Sequence, residues 1–162
     1  MKKFFVAIGI LSFLTIGCGN EGFVEGVFQG TPYRVNVNNV KAISGGSSSV
    51  YSDSVYPVVV SGGLIIYVCK TMGKEKNTCE GIVLTVQDVN TVLYEGTQIV
   101  PGNVTCTFYY NVNGEMYTSE AIAGEVFFDE ISPYNGDHVS GSGSCIFAEG
   151  DLSFDFSTRI GL

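Results

Sequence analysis

The sequence of 162 residues predicts an all-β protein that folds as a single antiparallel β-sandwich, with a small closed β-barrel as the alternative. Apolar and polar residues alternate with a period of two, most clearly in Val104–Val112 and Leu152–Ile160. Alternation over this length is typical of strands with one buried and one solvated face. After the first 17 residues, no apolar pattern of period 3.6 extends beyond one or two turns.

Ten short strands are predicted along the chain, and turn residues separate most of them. Asn113-Gly114 favours a two-residue hairpin, because both residues tolerate the positive φ that such a turn requires. Asn135-Gly136 marks a longer turn, and Glu149-Gly150-Asp151 closes the last hairpin. The predicted strands are Val24–Gln29, Tyr33–Val40, Val55–Ser61, Leu64–Cys69, Ile82–Gln87, Val104–Val112, Met116–Ser119, Glu125–Ile131, Val139–Phe147 and Leu152–Ile160.

The amino-terminal segment has the features of a secretory signal peptide. Lys2 and Lys3 precede an apolar run from Phe4 to Ile16, and the small residue Gly17 follows it. This run is shorter than the roughly 20 residues that a helix needs to cross a membrane. The segment therefore predicts export and cleavage.

Leu14, Thr15, Ile16 and Gly17 lead directly into Cys18, and this stretch resembles the lipobox of bacterial lipoproteins. In that family the cysteine is lipidated on sulfur, the chain is cut just before it, and the new amino group is acylated. Family members usually carry Leu where this chain has Thr15. An ordinary signal peptide with Cys18 near the cut, and an uncleaved anchor, are the alternatives.

The resemblance implies a division of the chain into three parts. Residues 1–17 form the signal peptide, residues 18–22 form the lipidated cysteine and a short tether, and residues 23–162 form the sandwich domain. Gly19 follows the cysteine where some family members have Asp. The resemblance then implies sorting to the outer membrane of a Gram-negative type of bacterium, with the lipid on Cys18 as the membrane contact.

The charge of the chain excludes some classes of partner. Removal of residues 1–17 takes away two of eight basic residues and none of sixteen acidic ones, so the formal charge changes from −8 to −10. Binding to nucleic acid depends on basic residues that displace counterions, and adhesion to anionic lipid depends on a basic surface. The sequence therefore predicts no nucleic-acid partner, and membrane attachment through acyl chains alone.

Four cysteines remain after Cys18, and an even number in an exported chain predicts two disulfides. Cys69 and Cys79 flank nine residues, a good length for a loop closed at its base, which leaves Cys106 to pair with Cys145. A zinc site is the competing interpretation, but close cysteine pairs are missing and the chain has a single histidine. We predict no metal and no cofactor.

The predicted loop between Cys69 and Cys79 carries half of the basic residues that remain after cleavage. Lys70, Lys74 and Lys76 form a basic tip on an acidic body. Such a tip is a candidate contact for an acidic envelope protein or a cell-wall polymer.

No set of residues predicts catalysis. His138 is the only histidine and follows an Asn-Gly turn, where solvent exposure is expected. Carboxylates such as Glu125, Asp129 and Asp155 permit a glycosidase only if two of them face one cleft. Glycines within Ser140–Ser144 indicate a bulge or close packing, with ligand contact as the alternative. The oxygen ligands of Asp129, Glu130, Asn135 and Asp137 are of the kind that calcium binds, but the spacing of an EF-hand is absent.

These features predict a lipid-anchored cell-envelope protein that acts as a noncatalytic binding or interaction module with an unidentified partner. The strand–turn layout loosely resembles small cell-envelope lipoproteins of unknown function. Two alternatives remain: a carrier of small ligands, which requires a barrel with an apolar hollow, and a carboxylate-dependent glycosidase.

We predict that Cys18→Ala protein no longer fractionates with membranes, because the sulfur that carries the lipid is gone. The intact mass of wild-type protein extracted from membranes should exceed the mass of residues 18–162 by at least that of a diacylglyceryl group. Ser12→Ala, within the apolar run of the signal peptide, is the matched control and should remain membrane-bound. Membrane association of the Cys18→Ala protein would contradict the prediction.

Overall fold

The computed structural model describes residues 20–44, 62–72 and 79–161. These residues form two antiparallel sheets stacked face to face, so the predicted β-sandwich is confirmed and the described strands do not close into a barrel. The elements are β1 (Glu21–Phe28), β2 (Thr31–Val37), β3 (Asn39–Ser44), β4 (Leu64–Met72), β5 (Cys79–Val86), α1 (Val89–Glu95), β6 (Gln98–Val100), β7 (Val104–Val112), β8 (Glu115–Glu120), β9 (Ala123–Glu130), β10 (His138–Phe147) and β11 (Gly150–Arg159).

The first sheet, sheet A, has the strand order β2-β1-β11-β10-β9-β6. The second, sheet B, has the order β3-β4-β5-β7-β8. Between the described strands the chain crosses from one sheet to the other four times: at Asn38, between β5 and β6, between β6 and β7, and at Ala121–Ile122. In the last of these crossings, Ala121 N–H donates to the carbonyl of Cys106 in sheet B, and Ile122 N–H donates to that of Ile146 in sheet A.

The prediction of one continuous strand over Tyr33–Val40 is wrong. The chain leaves sheet A at Asn38, so this segment is divided between β2 and β3. The residues that point into the core also change phase, from Val37 to Val40. A strand cannot keep one buried face through such a change, and the break follows from it.

The hairpin predicted at Asn113-Gly114 is confirmed. Asn113 and Gly114 have φ angles of 54° and 94°, as the predicted hairpin between β7 and β8 requires. The predicted strand Val55–Ser61 lies outside the described residues. Two short elements were not predicted: the three-residue strand β6, and α1, which begins after Asp88. The carboxylate of Asp88 accepts the N–H of Asn90.

The space between the sheets is filled with apolar side chains. Phe108 is fully buried and packs edge-on against Phe28, with ring centroids 4.8 Å apart. Tyr33 and Phe147 complete an aromatic group around Phe108. A core filled with side chains argues against the carrier of small ligands, which requires an apolar hollow.

The glycines of β10 allow two phenylalanine rings of β11 to pack closely against the sheet. A Cβ on Gly143 would lie 2.5 Å from Cζ of Phe154, and a Cβ on Gly141 would lie 2.9 Å from Cζ of Phe156. The register between β9 and β10 also shifts between Ser140 and Gly141. Both features that the sequence predicted for this stretch, a bulge and close packing, are therefore present.

The predicted Cys69–Cys79 disulfide is confirmed and joins β4 to β5, with a Cα–Cα distance of 5.2 Å. It belongs to a second, smaller apolar cluster on the face of sheet B that points away from the core, together with Ile65, Val83 and Tyr109. These residues are buried. The outer face of sheet B is therefore an apolar layer of its own.

The disulfide predicted between Cys106 and Cys145 is not formed in the structure. Both residues are buried and free. Cys106 lies on β7 of sheet B and Cys145 on β10 of sheet A, so the two thiols meet across the core rather than along one sheet.

We predict that Gly143→Ala lowers the free energy of unfolding by about 1–3 kcal/mol, because the new methyl group displaces the buried Phe154 ring. Ser144→Ala changes the neighbouring exposed residue and should alter stability by less than about 0.5 kcal/mol. Chemical denaturation of both variants measures the difference. Equal denaturation midpoints for Gly143→Ala and Ser144→Ala would contradict the prediction, because they would show that the Phe154 ring moves without loss of stability.

Candidate functional site

The outer face of sheet A carries a concentration of serine side chains. Five serines point outward from the neighbouring strands β10 and β11, because the alternate residues of both strands are buried in the core. Ser140 lies directly opposite Ser157 in the register, and Ser144 lies directly opposite Ser153. We call this surface the serine face, and it comprises Ser140, Ser142, Ser144, Ser153 and Ser157.

Larger side chains lie on both sides of the serine face. On one side, Phe127 and Glu125 of β9 are the register partners of Ser142 and Ser144. On the other side, Phe23 and Glu25 of β1 pair with residues of β11. The small serines, with Asp155 among them opposite Ser142, therefore lie between rows of larger side chains, and we call this strip of the sheet the trough.

The trough is negatively charged. Glu25, Glu125 and Asp155 lie along it, while Arg34 pairs with Glu25 at 3.4 Å on its border. Asp155 accepts the N–H of Phe23 at 2.8 Å. Partial burial nevertheless raises the pKa of Asp155, and the nearby Glu25 raises it further. Polyanions are repelled from this surface, whereas neutral molecules are not.

A chain of hydrogen bonds connects three strands at one end of the serine face. Nε2 of His138 lies 3.0 Å from Oγ of Ser157, and Nδ1 of His138 lies 2.5 Å from Oε2 of Glu130. The three residues come from β10, β11 and β9 respectively. We call this group the Ser157–His138–Glu130 cluster.

The sheet register explains how the cluster forms. Ser140 is the register partner of both Ser157 and Glu130. His138 lies two residues before Ser140, so its side chain points to the same face and reaches both neighbours. The register shift between β9 and β10 contributes as well, because it places Glu130 opposite Ser140.

An open groove of about 450 Å³ begins at His138 and runs between α1 and the β9–β10 connection. Its apolar wall consists of Val92, Phe128 and Ile131. The rest of its lining is Gly96 and the polar residues Asp129, Glu130, Ser132, Asp137 and His138. A volume of this size is within the range of small-molecule sites, which is roughly 300–1,000 Å³.

The cluster was not predicted from the sequence. The sequence predicts solvent exposure for His138, whereas 38% of its side chain is exposed and both ring nitrogens have partners. The three residues are separated by 8 and 19 positions along the chain. No local pattern connects them, and only the strand order brings them together.

Among the residues predicted for partner contact, Lys70 is exposed and pairs with Glu80 at 3.5 Å on sheet B. Lys74 and Lys76 lie outside the described residues, as does Cys18. Lys70 is therefore not part of the serine face.

The structure does not support the carboxylate alternatives. Glu125 and Asp155 lie on the open outer face of sheet A with β10 between them, and Asp129 lines the separate groove. No cleft unites these three carboxylates as a glycosidase requires. Within the part of the chain that the structure describes, no group of three or more His, Cys, Asp or Glu residues is arranged to hold a metal.

The buried cysteine pair lies beside the crossing between the sheets at Ala121–Ile122. The amides of Ala121 and Ile122 bind the carbonyls of Cys106 and Ile146, so two consecutive residues hold β7 and β10 together at this point. Burial, together with the hydrogen bond that the Cys106 thiol donates to Cys145, raises the pKa of Cys106 well above its usual value.

Comparisons with protein-family models, curated proteins and solved structures found no match to this chain. In the described residues, α1 is short, and no helix has the length and apolar character needed to cross a membrane.

We predict that stability decreases as the pH rises above about 8.5, the usual pKa of a thiol in an unfolded chain. There the unfolded chain loses the Cys106 proton while the folded chain retains it, so the free energy of unfolding falls by about 1.4 kcal/mol per pH unit. Denaturation of Cys106→Ala between pH 8 and pH 10 should show a smaller slope.

Tyr33→Phe is the matched control for this measurement. Burial raises the pKa of Tyr33 to about 12, and Glu80 raises it as well, so its effect on stability begins only above about pH 10. In Cys18→Ala protein whose Cys69–Cys79 disulfide is intact, the two remaining thiols, Cys106 and Cys145, should react with iodoacetamide only after unfolding. No reactive thiol and an unchanged slope would instead establish the Cys106–Cys145 disulfide.

Proposed function

We propose that this protein is an exported, lipid-anchored module of the cell envelope, and that its serine face binds a neutral, hydroxyl-rich polymer such as a polysaccharide. One observation carries the proposal: the five outward serines lie between Phe23 and Phe127 on the exposed outer face of sheet A. The anchor is the lipid that the amino-terminal sequence predicts on Cys18.

The chemistry of the trough suits a sugar polymer. Each serine hydroxyl donates one hydrogen bond and accepts two, which complements a ligand that consists largely of hydroxyl groups. Phe127 is 47% exposed and offers an apolar ring surface beside these hydroxyls. The carboxylates along the trough disfavour polyanions and accept hydrogen bonds from sugar hydroxyls.

The structure of the amino terminus supports placement close to a membrane. Asn20 Oδ1 accepts the hydroxyl hydrogen of Thr158 at 2.9 Å, which ties the start of the described chain to β11. Cys18 lies two residues earlier, and two residues span at most about 7 Å. A lipid on Cys18 therefore holds the serine face next to the bilayer, where envelope polymers are found.

We predict that processed wild-type protein in detergent is retarded in native gels that contain dextran or amylose, and is not retarded by polygalacturonate. Phe127→Ala should weaken retardation about tenfold, since loss of a central aromatic contact costs about 1–2 kcal/mol. The double variant Ser142→Val and Ser144→Val should abolish it, because two hydroxyls of the serine face are lost.

Thr118→Val on β8 is the matched control, because it removes an exposed strand hydroxyl from the other sheet. Retardation of this variant should equal that of the wild-type protein. Unchanged retardation of the serine-face variants, or stronger retardation by polygalacturonate, would refute the proposed binding surface.

A further inference from the structure

We propose that Ser157 is a nucleophile activated by His138, and that it cleaves neutral acyl esters presented at the membrane surface. This activity goes beyond polymer binding and changes the expectation of a noncatalytic protein. The observation that carries it is the continuous hydrogen-bond chain of the Ser157–His138–Glu130 cluster.

The cluster meets the geometric requirements for nucleophilic catalysis by serine. The nucleophile must contact one ring nitrogen of a histidine, and a third group must hold the other nitrogen. Here those distances are 3.0 Å and 2.5 Å. Glu130 is a positioning residue, because it acts on the ester only through His138, whose Nδ1–H it accepts.

The residues are also accessible to a substrate. His138 and Glu130 are 38% and 62% exposed, and Ser157 is half-buried on the outer face of sheet A. His138 also lines the groove beside α1, so an acyl group in the groove lies next to the base. The arrangement brings the nucleophile, the base and a binding surface to one end of the sheet.

The reaction proceeds in two balanced steps. Oγ of Ser157 attacks the ester carbonyl carbon while its proton passes to Nε2 of His138, and that proton then protonates the departing alcohol as the ester C–O bond breaks. Water next attacks the acyl-serine, gives one proton to His138, and releases the acid as the serine recovers its proton. Arg159, the register partner of His138, donates a guanidinium N–H to the carbonyl of Gly136 at 3.0 Å and brings positive charge to the same end of the sheet.

The groove and the amino terminus indicate the class of substrate. Val92, Phe128 and Ile131 provide an apolar wall for an acyl chain, while Asp129 and Asp137 disfavour anionic groups. Thr158, next to Ser157, holds Asn20. The inference that the ester comes from a membrane depends on the proposed lipid on Cys18. The inference that Ser157 is an activated nucleophile does not depend on it.

Two probes test the nucleophile directly. A fluorophosphonate reacts with an activated serine with loss of fluoride, and peptide mass mapping of labelled wild-type protein should place the modification on Ser157. Hydrolysis of p-nitrophenyl butyrate should fall at least about 100-fold in Ser157→Ala and His138→Ala, the size expected when a general base is lost. Thr118→Val, which removes an exposed hydroxyl from sheet B, is the matched control and should retain full labelling and hydrolysis.

Substitution at Glu130 separates positioning from a structural role. Glu130→Gln should lower kcat for p-nitrophenyl butyrate, and Glu130→Asp should restore part of it, while the thermal unfolding midpoints of the two variants remain equal. Absence of label on Ser157, or full hydrolysis by Ser157→Ala, would overturn the proposal, and neither result depends on the folding of a damaged variant.

The anchor is tested separately from the chemistry. Cys18→Ala protein should still be labelled at Ser157 and hydrolyse the soluble ester, but should hydrolyse a p-nitrophenyl ester embedded in phosphatidylcholine vesicles more slowly than wild-type protein. Equal rates of the two proteins on vesicles would contradict the inference that the substrate is presented by the membrane. Labelling of Ser157 in a protein that never binds membranes would refute the anchor and leave the nucleophile intact.

Discussion

The packing of two phenylalanine rings over two glycines is the contact on which sheet A depends. Phe154 and Phe156 of β11 occupy the space that side chains on Gly143 and Gly141 of the neighbouring strand would fill. Both rings are buried in the centre of the sandwich. Since strands β10 and β11 lie in the middle of the sheet, every other strand of sheet A is arranged around this contact.

The same alternation that sends the glycines inward sends the serines outward. The stretch Ser140–Ser144 therefore provides ring-sized spaces on one face and hydroxyl groups on the other. Sheet B is organised differently, because its outer face carries a second buried apolar cluster around the Cys69–Cys79 disulfide. The two outer faces of the sandwich thus differ in chemistry, and the polar, exposed one is the candidate for recognition.

The sequence was informative where structure is local. Alternation predicted the sandwich, Asn113-Gly114 predicted its hairpin, and the loop length predicted the Cys69–Cys79 bond. Local patterns failed at Asn38, where a strand-like run changes sheets, and they missed the short elements α1 and β6. Elements of three to seven residues contain too few periods to be distinguished from loops.

Local sequence patterns could not predict the candidate site, and the reason is different. Ser157, His138 and Glu130 meet only because β9, β10 and β11 are neighbours in a particular register, which includes one shift. Strand order and register are set by packing over the whole domain, and no window of sequence contains them. The faces of Cys106 and Cys145 followed from alternation, but their oxidation state did not, because sequence alone does not determine whether two facing thiols are bonded.

The hydrogen bond between Asn20 and Thr158 has a mechanical consequence. A domain on a long flexible leader samples every orientation above the surface to which it is attached, whereas a leader fastened to the central strand β11 leaves little freedom to tumble. With the proposed lipid on Cys18, the His138 end of sheet A is the end nearest the membrane, because Asn20 lies at that end beside Thr158. The turn between β10 and β11 then faces away from the membrane.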